Sequence, residues 1–571
     1  VKASININQA ATSQKGGPRL RRSSTLGAIR RIATQHPLHI VSAALLLLMA
    51  INLLSVTARK NITIDETLII PSGYYYVNSG AFYLEQDHPP LSKVLAGLPL
   101  LFLPLETPAL ADLNREPSAD QTIVAANRFW TANRHHFEAV FFWSRVPMII
   151  LTVLIGALVF TFARHLFSVR AAVLAVALFS FEPTILAHGR VVKDIHVAFV
   201  YLLFFFVLYL YGSRPSRRRA LGLGLACGLA LIAKYSMVVL IPVLLVSFCF
   251  FELRPPTRTA RRQILLHFLI AAFATLMVLK AAYLFLNQPL AAADMEALVR
   301  NGQAQSNLLL PALKFSSPFA PPYFVYGLYR TFVHNDLGHP GFLLGAYSDH
   351  GWWYYFPVAF ALKTTIPFLL ITLVSLGWAA YGAIRREVRF LILLAPVGIY
   401  GLMAMFASIN IGIRHLLPVF PFLFILGGAL LDRLLRARRN HRIAVALTVI
   451  VIAACAAEIV RAYPNYIPYM NQFAAGRPAW EYLSDSNVEW GDDAGAVAEY
   501  LKQRGETRVR ASFLGGSMLM PLYGVEYIDL LSPPGTRLPE TRYVALGASF
   551  LNGSTVSGWG AGSGRETKEQ Q

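Results

Sequence analysis

Acid is scarce in this chain. Its 31 aspartates and glutamates stand against 51 lysines and arginines in 571 residues, and charged residues of both signs together make up only 14%. So little charge excludes a disordered chain, which needs high charge and few apolar residues. Cysteine is nearly missing too. Cys227, Cys249 and Cys455 each lie inside an apolar stretch and read as small buried hydrophobes, which excludes a disulfide framework or a cysteine zinc site. Hydrocarbon is what the chain has in plenty: 55% of its residues are hydrophobic, the composition of a polytopic membrane protein. The formal net charge of +20 would suit a nucleic-acid binder if the basic residues shared a soluble face. They gather instead in short clusters between apolar runs, the pattern of membrane orientation, so membrane lipids and no nucleic acid are the expected surroundings.

A span needs about 20 apolar residues to cross about 30 Å of hydrocarbon. Roughly eleven candidate stretches are present, near 38–56, 139–163, 169–187, 194–212, 219–234, 236–252, 264–286, 355–381, 390–408, 414–431 and 443–460. The fifth and sixth are short and separated only by Lys234-Tyr235, as in a tight hairpin or one broken element. With the N-terminus in the cytoplasm, Arg19, Arg21, Arg22, Arg30 and Arg31 fall inside. Every second loop then repeats the bias, through Arg217-Arg218-Arg219, Arg261-Arg262, Arg385-Arg386 and Arg433 to Arg442. The first span reads as a signal anchor, longer than the apolar core of a cleaved signal peptide.

These signals divide the chain into a disordered, basic cytoplasmic segment 1–35, a transmembrane domain 36–460, an extracytoplasmic α/β domain 461–550 and a disordered tail 551–571. Two long outer loops, 57–138 and 287–354, offer room for a site. The run 89–103 in the first is too short for a span and reads as an interfacial or re-entrant helix with Lys93 at headgroup depth.

Acids beside hydrocarbon cost several kcal/mol unless they have partners or work, so those on the outer face are functional candidates. Asp65, Glu66, Asp87, His88 and Lys93 lie in the first outer loop, Arg190, Lys193 and Asp194 in the next, then Lys234, then Arg414-His415. Transfer of a sugar from a lipid phosphate to a hydroxyl needs a carboxylate to take the proton and cations to hold the departing phosphate. Arg190 and Arg414 suit the phosphate because guanidinium binds its oxygens as a fork. Each also has a structural reading: Asp65-Glu66 as a helix cap, His88-Pro89-Pro90 as a helix start, the arginines, Lys234 and Lys363 as interfacial anchors. The aromatic run Trp352 to Phe356 reads first as an interfacial belt. Asn61-Ile62-Thr63 fits a glycosylation sequon by chance, and Asp485 to Asp493 lacks calcium-loop spacing, so no metal is expected.

Ile64-Asp65-Glu66, Asp87-His88-Pro89-Pro90-Leu91-Ser92-Lys93 and Phe181-Glu182-Pro183 leading to Arg190 and Asp194 together resemble the protein O-mannosyltransferase family, of the GT-C class. Tyr347 to Pro357, Arg414-His415-Leu416-Leu417-Pro418 and Asp485-Ser486-Asn487-Val488-Glu489-Trp490-Gly491 resemble its bacterial branch of phospholipid carrier-dependent glycosyltransferases. The resemblance implies a mostly α GT-C bundle in a bacterial plasma membrane. It implies transfer of a single, mannose-like sugar (EC 2.4 class) from a polyprenyl-phosphate donor, with inversion and no cofactor, to a protein, lipid or glycan acceptor on the outer face. Asp65 is then the base and Glu66 a supporting carboxylate, with Asp87, His88, Lys93, Arg190, Asp194, Arg414 and His415 at the substrates. Val191-Val192-Lys193 departs from the family's outer turn. The alternative is a membrane transporter or lipid flippase, although the charges lie at span ends on one side rather than at the midplane.

Overall fold

The computed structural model describes residues 37–113, 119–252, 258–283, 311, 315–316, 320–437, 440–474, 476–532 and 536–554. The expected disordered segment 1–35 lies outside these, as do 555–571 of the expected tail 551–571 and 284–310 of the second long loop; the first residues of that tail, 551–554, close the short helix Ala548–Leu551 and the turn after it.

Among the described residues, seven helices are long and apolar enough to cross a membrane: Pro37–Thr57, Arg134–Leu166, Ile195–Ser213, Arg261–Ala282, Ile366–Ile384, Val388–Met405 and His441–Ala462. Many of their large side chains, among them Leu47, Leu48, Ile150, Phe273, Leu373 and Ile450, are exposed, as lipid contact allows and water does not. Cys249 is on this outer surface, whereas Cys227 and Cys455 are buried as expected; lipid gives the first an apolar environment without burial in protein.

Three runs that read as single spans are broken near one end. The first becomes Val169–Ser180 and Pro183–His188, parting at Phe181-Glu182. The second becomes Tyr355–Lys363 and Ile366–Ile384, parting at Thr364-Thr365. In the third, a short turn Ile413–Leu416 precedes Phe420–Leu435. Proline opens each following helix, at Pro183, Pro367 and Pro421, where its missing N–H costs nothing but ends what came before. Lys234 likewise sits in a break, between Arg217–Leu231 and the turn Tyr235–Val239 that leads into Leu240–Glu252. Irregular backbone at such depth survives only where protein surrounds it, and these breaks face one another.

The first outer loop folds as a helix, Ile64–Ser79, crossed by Pro90–Gly97. They touch backbone to backbone: a Cβ on Gly73 would come within 2.4 Å of the Lys93 carbonyl, and one on Gly97 within 2.3 Å of the Gly73 carbonyl. That crossing buries Lys93. Its ammonium donates to the carbonyls of Glu85 at 2.6 Å and Leu84 at 3.4 Å rather than reaching lipid headgroups.

After the last long helix the chain forms a parallel three-stranded sheet in which Arg508–Ser512 lies between Glu526–Asp529 and Val544–Leu546, with Ala494–Lys502 ahead of it. This unit is fastened to the first outer loop. The Asn61 N–H donates to the Asp492 carbonyl at 3.0 Å and the Ile64 N–H to the Trp490 carbonyl at 2.9 Å, and Lys60 pairs with Asp493.

Candidate active site

Asp65 and Glu66 occupy the first turn of the Ile64–Ser79 helix, where the amide dipoles favour negative charge. Consecutive residues on a helix diverge by about 100°, so the two carboxylates face different neighbours.

Glu66 turns inward and is fully buried. One oxygen accepts from the Thr63 N–H at 2.8 Å and from the Arg145 guanidinium at 2.5 Å; the other accepts from Arg145 at 2.9 Å and from the Val192 N–H at 3.0 Å. With Thr63 it forms a capping box. Burial alone would raise its pKa, but Arg145 and these hydrogen bonds outweigh that and hold it low. Arg145 also donates to the carbonyls of Lys60 and Asn61. The cap reading of the acidic pair is therefore realised by Glu66.

Asp65 turns the other way, and its side chain keeps 26% exposure. A single oxygen, Oδ2, takes the Lys193 ammonium at 2.5 Å, the Trp490 indole N–H at 2.9 Å and Arg414 Nη1 at 3.4 Å. Burial works to raise its pKa; Lys193 and Arg414 overcome it and bring the carboxyl down to about 2. For Oδ1 no partner is found among the described residues.

One of these cations serves a second carboxylate. Asp194 accepts from Lys234 at 2.7 Å and from Arg414 Nη1 at 3.3 Å, so Arg414 lies between the two aspartates. Its Nε donates to Ser486 Oγ at 2.8 Å and its plane lies over the Trp490 ring at 4.5 Å. Lys193, lowered in pKa by burial and then by Arg414, is partly restored by the two aspartates. Three cations thus face two carboxylates, an excess of one positive charge that suits an anion.

Arg190 lies alongside but is held apart. It pairs with Asp492 at 3.1 Å, and its Nε and Nη1 have no partner among the described residues. Burial, then Arg145, lowers its pKa to about 10, which leaves it charged at neutral pH. His188 is neutral there, pushed down to about 3 by burial, and packs edge-on against Trp490 at 5.7 Å. His415 stacks on Phe356 at 6.3 Å.

The residues from Asp87 to Lys93 form a neighbouring group. Asp87, largely exposed, pairs with Arg330 at 3.0 Å; His88 Nδ1 meets Glu85 at 2.6 Å; Lys93 sits behind them. Lys363 donates to the carbonyls of Ile467 and Asn487, a structural brace. Of the aromatic run, Trp353 is exposed as in a belt, while Tyr355 and Phe356 are buried and Tyr355 bonds Asn487 at 2.8 Å. Asn61 of the sequon is buried. Among the described residues no three histidine, cysteine or acidic side chains are grouped to hold a metal ion.

The structure brings Asp65, Asp194 and Arg414 together with Lys193, all of them among the charges that the sequence offers on one membrane face, and adds two participants that sequence reasoning missed. Arg145 was hidden inside a span, where any charge is a signal. Trp490 was visible only as part of the Asp485 to Gly491 motif of the bacterial branch.

Residues 137–283 match the family model described as dolichyl-phosphate-mannose-protein mannosyltransferase. That region carries Arg145, Arg190, Lys193, Asp194 and Lys234, and Asp65 and Arg414 fall outside it. No curated protein sequence matches the chain. Among solved structures, the chain is similar to ArnT from Cupriavidus metallidurans bound to undecaprenyl phosphate, at 14% identity over 87% of each chain with a TM-score of 0.48. It is also similar to the oligosaccharyltransferase of Archaeoglobus fulgidus, at 14% identity over 86% of this chain and 64% of that one, with a TM-score of 0.46. The chain is a multi-spanning helical membrane protein whose residues 137–283 match a mannosyltransferase family.

Proposed function

We propose that this protein transfers a single sugar, mannose-like by its family match, from a polyprenyl-phosphate carrier to an acceptor hydroxyl of a protein, lipid or glycan. The observation that carries the reading is the sharing of Arg414 between Asp65 and Asp194, with Lys193 and Lys234 on the same two carboxylates. A carboxylate with one oxygen anchored and the other unpartnered suits proton abstraction; clustered cations in excess suit a departing phosphate.

In the step proposed, the acceptor oxygen attacks the anomeric carbon as Asp65 Oδ1 takes its proton. The bond from that carbon to the phosphate oxygen breaks on the opposite side, inverting the centre, and the polyprenyl phosphate leaves with the electron pair. Lys193 and Arg414 receive the phosphate charge, and Lys234 keeps Asp194 in place. Arg190, with two unpartnered donors, is a reserve contact to the same anion. Glu66 acts as a supporting carboxylate through Arg145 and the Val192 N–H, which hold the turn bearing Lys193. Asp87, His88 and His415 belong to the sugar or acceptor side, with Lys93 behind them. The cations that ring Asp65 and Asp194 oppose a divalent ion there, which supports metal-independent transfer.

The proposed organisation keeps residues 36–460 as the GT-C catalytic domain and 461–550 as an extracytoplasmic domain, in a bacterial inner membrane with the N-terminus inside. Purified protein given labelled polyprenyl-phosphate sugars and membrane acceptors tests the reading. Asp65→Asn is expected to lose transfer while still binding donor; transfer at the native rate in that variant rejects Asp65 as base.

A further inference from the structure

The three donors on Asp65 Oδ2 are not equivalent. Lys193 and Arg414 are cations on flexible stems, and Arg414 is shared: its Nη1 spans two carboxylates at 3.3 and 3.4 Å, long for charge-assisted bonds. The donor's phosphodiester, a monoanion that becomes a dianion as its bond to the sugar breaks, competes for both. As they turn toward it, Asp65 gains basicity, which proton abstraction needs, but loses two of the contacts that aim it.

Trp490 differs in charge and in mobility. It is neutral, so phosphate has less hold on it, and it is among the largest fully buried side chains. One face lies under the Arg414 guanidinium, an edge meets His188, and its backbone carbonyl accepts from the Ile64 N–H. The hydrogen bond to Ile64 ties the tryptophan to the residue immediately before Asp65. Its indole N–H can donate along one fixed line, and that line ends on Asp65 Oδ2 at 2.9 Å.

We propose that Trp490 is the positioning residue of the base: its N–H keeps Oδ2 anchored, and Oδ1 aimed at the acceptor, while the donor phosphate draws Lys193 and Arg414 away. The outer C-terminal segment then belongs to the catalytic centre as well as to its walls. This rests on Asp65 being the base of a sugar transfer.

The test replaces Trp490 in the full-length protein by 3-benzothienylalanine, which keeps the ring's shape and puts sulfur in place of the N–H. The expected result is a fall in kcat of about 10-fold or more, with donor affinity within about twofold of native. The acid limb of the pH profile should move upward, because losing a donor to the ionised carboxylate raises its pKa. Trp490→Phe, a natural substitution that also lacks the N–H, should show the same split between kcat and donor affinity. Native kcat and pH profile in the benzothienyl protein overturn the inference, as does a loss of donor affinity equal to the loss of kcat. Asp65→Asn run in parallel separates the two levels. If it transfers normally, the base assignment fails; if it is dead while the benzothienyl protein is native in every parameter, the positioning role alone fails.

Discussion

Asp65 and Glu66 are neighbours on one helical turn, and their surroundings differ in kind. Around Glu66 every donor is committed: a capping amide, both arms of Arg145 and the Val192 amide fill the carboxylate, and no water reaches it. Around Asp65 one donor, Arg414, is shared, one oxygen has no partner among the described residues, and a quarter of the side chain is exposed. A saturated buried ion pair holds geometry, because removing either member strands a charge. A partly open carboxylate, one of whose cations has a second claimant, can exchange partners, which chemistry requires. The comparison separates a sealed environment from an open one at two positions that the sequence presents as one acidic pair.

The largest effect is expected at the open member. Asp65→Asn keeps size and loses basicity, so sugar transfer should fall by about 10²–10⁴-fold, the range for general-base loss, with donor binding within a few-fold of native. Single-turnover transfer and donor titration measure the two separately. The comparison breaks if the rate survives.

At the sealed member the expected loss is in stability. Glu66→Gln leaves Arg145 charged and buried without its counter-ion, at a cost of about 3–5 kcal/mol. Thermal unfolding in detergent should show this, and Glu66→Gln combined with Arg145→Met should recover part of it. A Glu66→Gln protein of native stability that cannot transfer sugar would instead place Glu66 in the chemistry.

Arg414→Ala removes the cation common to both aspartates. Donor affinity is expected to fall about 100-fold, more than acceptor affinity, read from equilibrium binding of each. Equal affinity for donor in variant and native protein would remove the phosphate from this cluster.

The helical, membrane-spanning character was legible because hydropathy and arginine bias are properties of whole segments. The helix breaks were less so: Phe181-Glu182-Pro183 and Thr364-Thr365-Ile366-Pro367 carry proline signals, but continuous hydropathy across them hides the interruption. The site was half legible. Asp65, Asp194 and Arg414 announce themselves as charges at span ends, whereas their mutual contacts join residues 349 and 220 positions apart. The roles of Trp490 and Ser486 depend on the C-terminal segment returning to the first outer loop, and no local pattern encodes that return. Glu66 and Asp65 could not be told apart by type. Only the direction each faces distinguishes them, and that is fixed by Arg145, 79 residues downstream of Glu66.

The smallest effect expected is a displacement in pH, and it sharpens the comparison most. Asp65 has a folded pKa of about 2 against an ordinary 3.8, so it stays ionised as pH falls until near 2, and whatever stability its pairing gives is present above 3.8 and lost on descending through 2. Lys193→Ala takes away the strongest of the attractions opposing burial. The carboxyl should then titrate at higher pH, and the acid limb of kcat/KM should move up with it, while the Glu66 pair, which Lys193 does not touch, should leave the unfolding profile near neutral pH unchanged. An acid limb that stays where it is in Lys193→Ala would mean that Arg414 and Trp490 suffice to hold Asp65 ionised, and Lys193 would then be left to the phosphate alone.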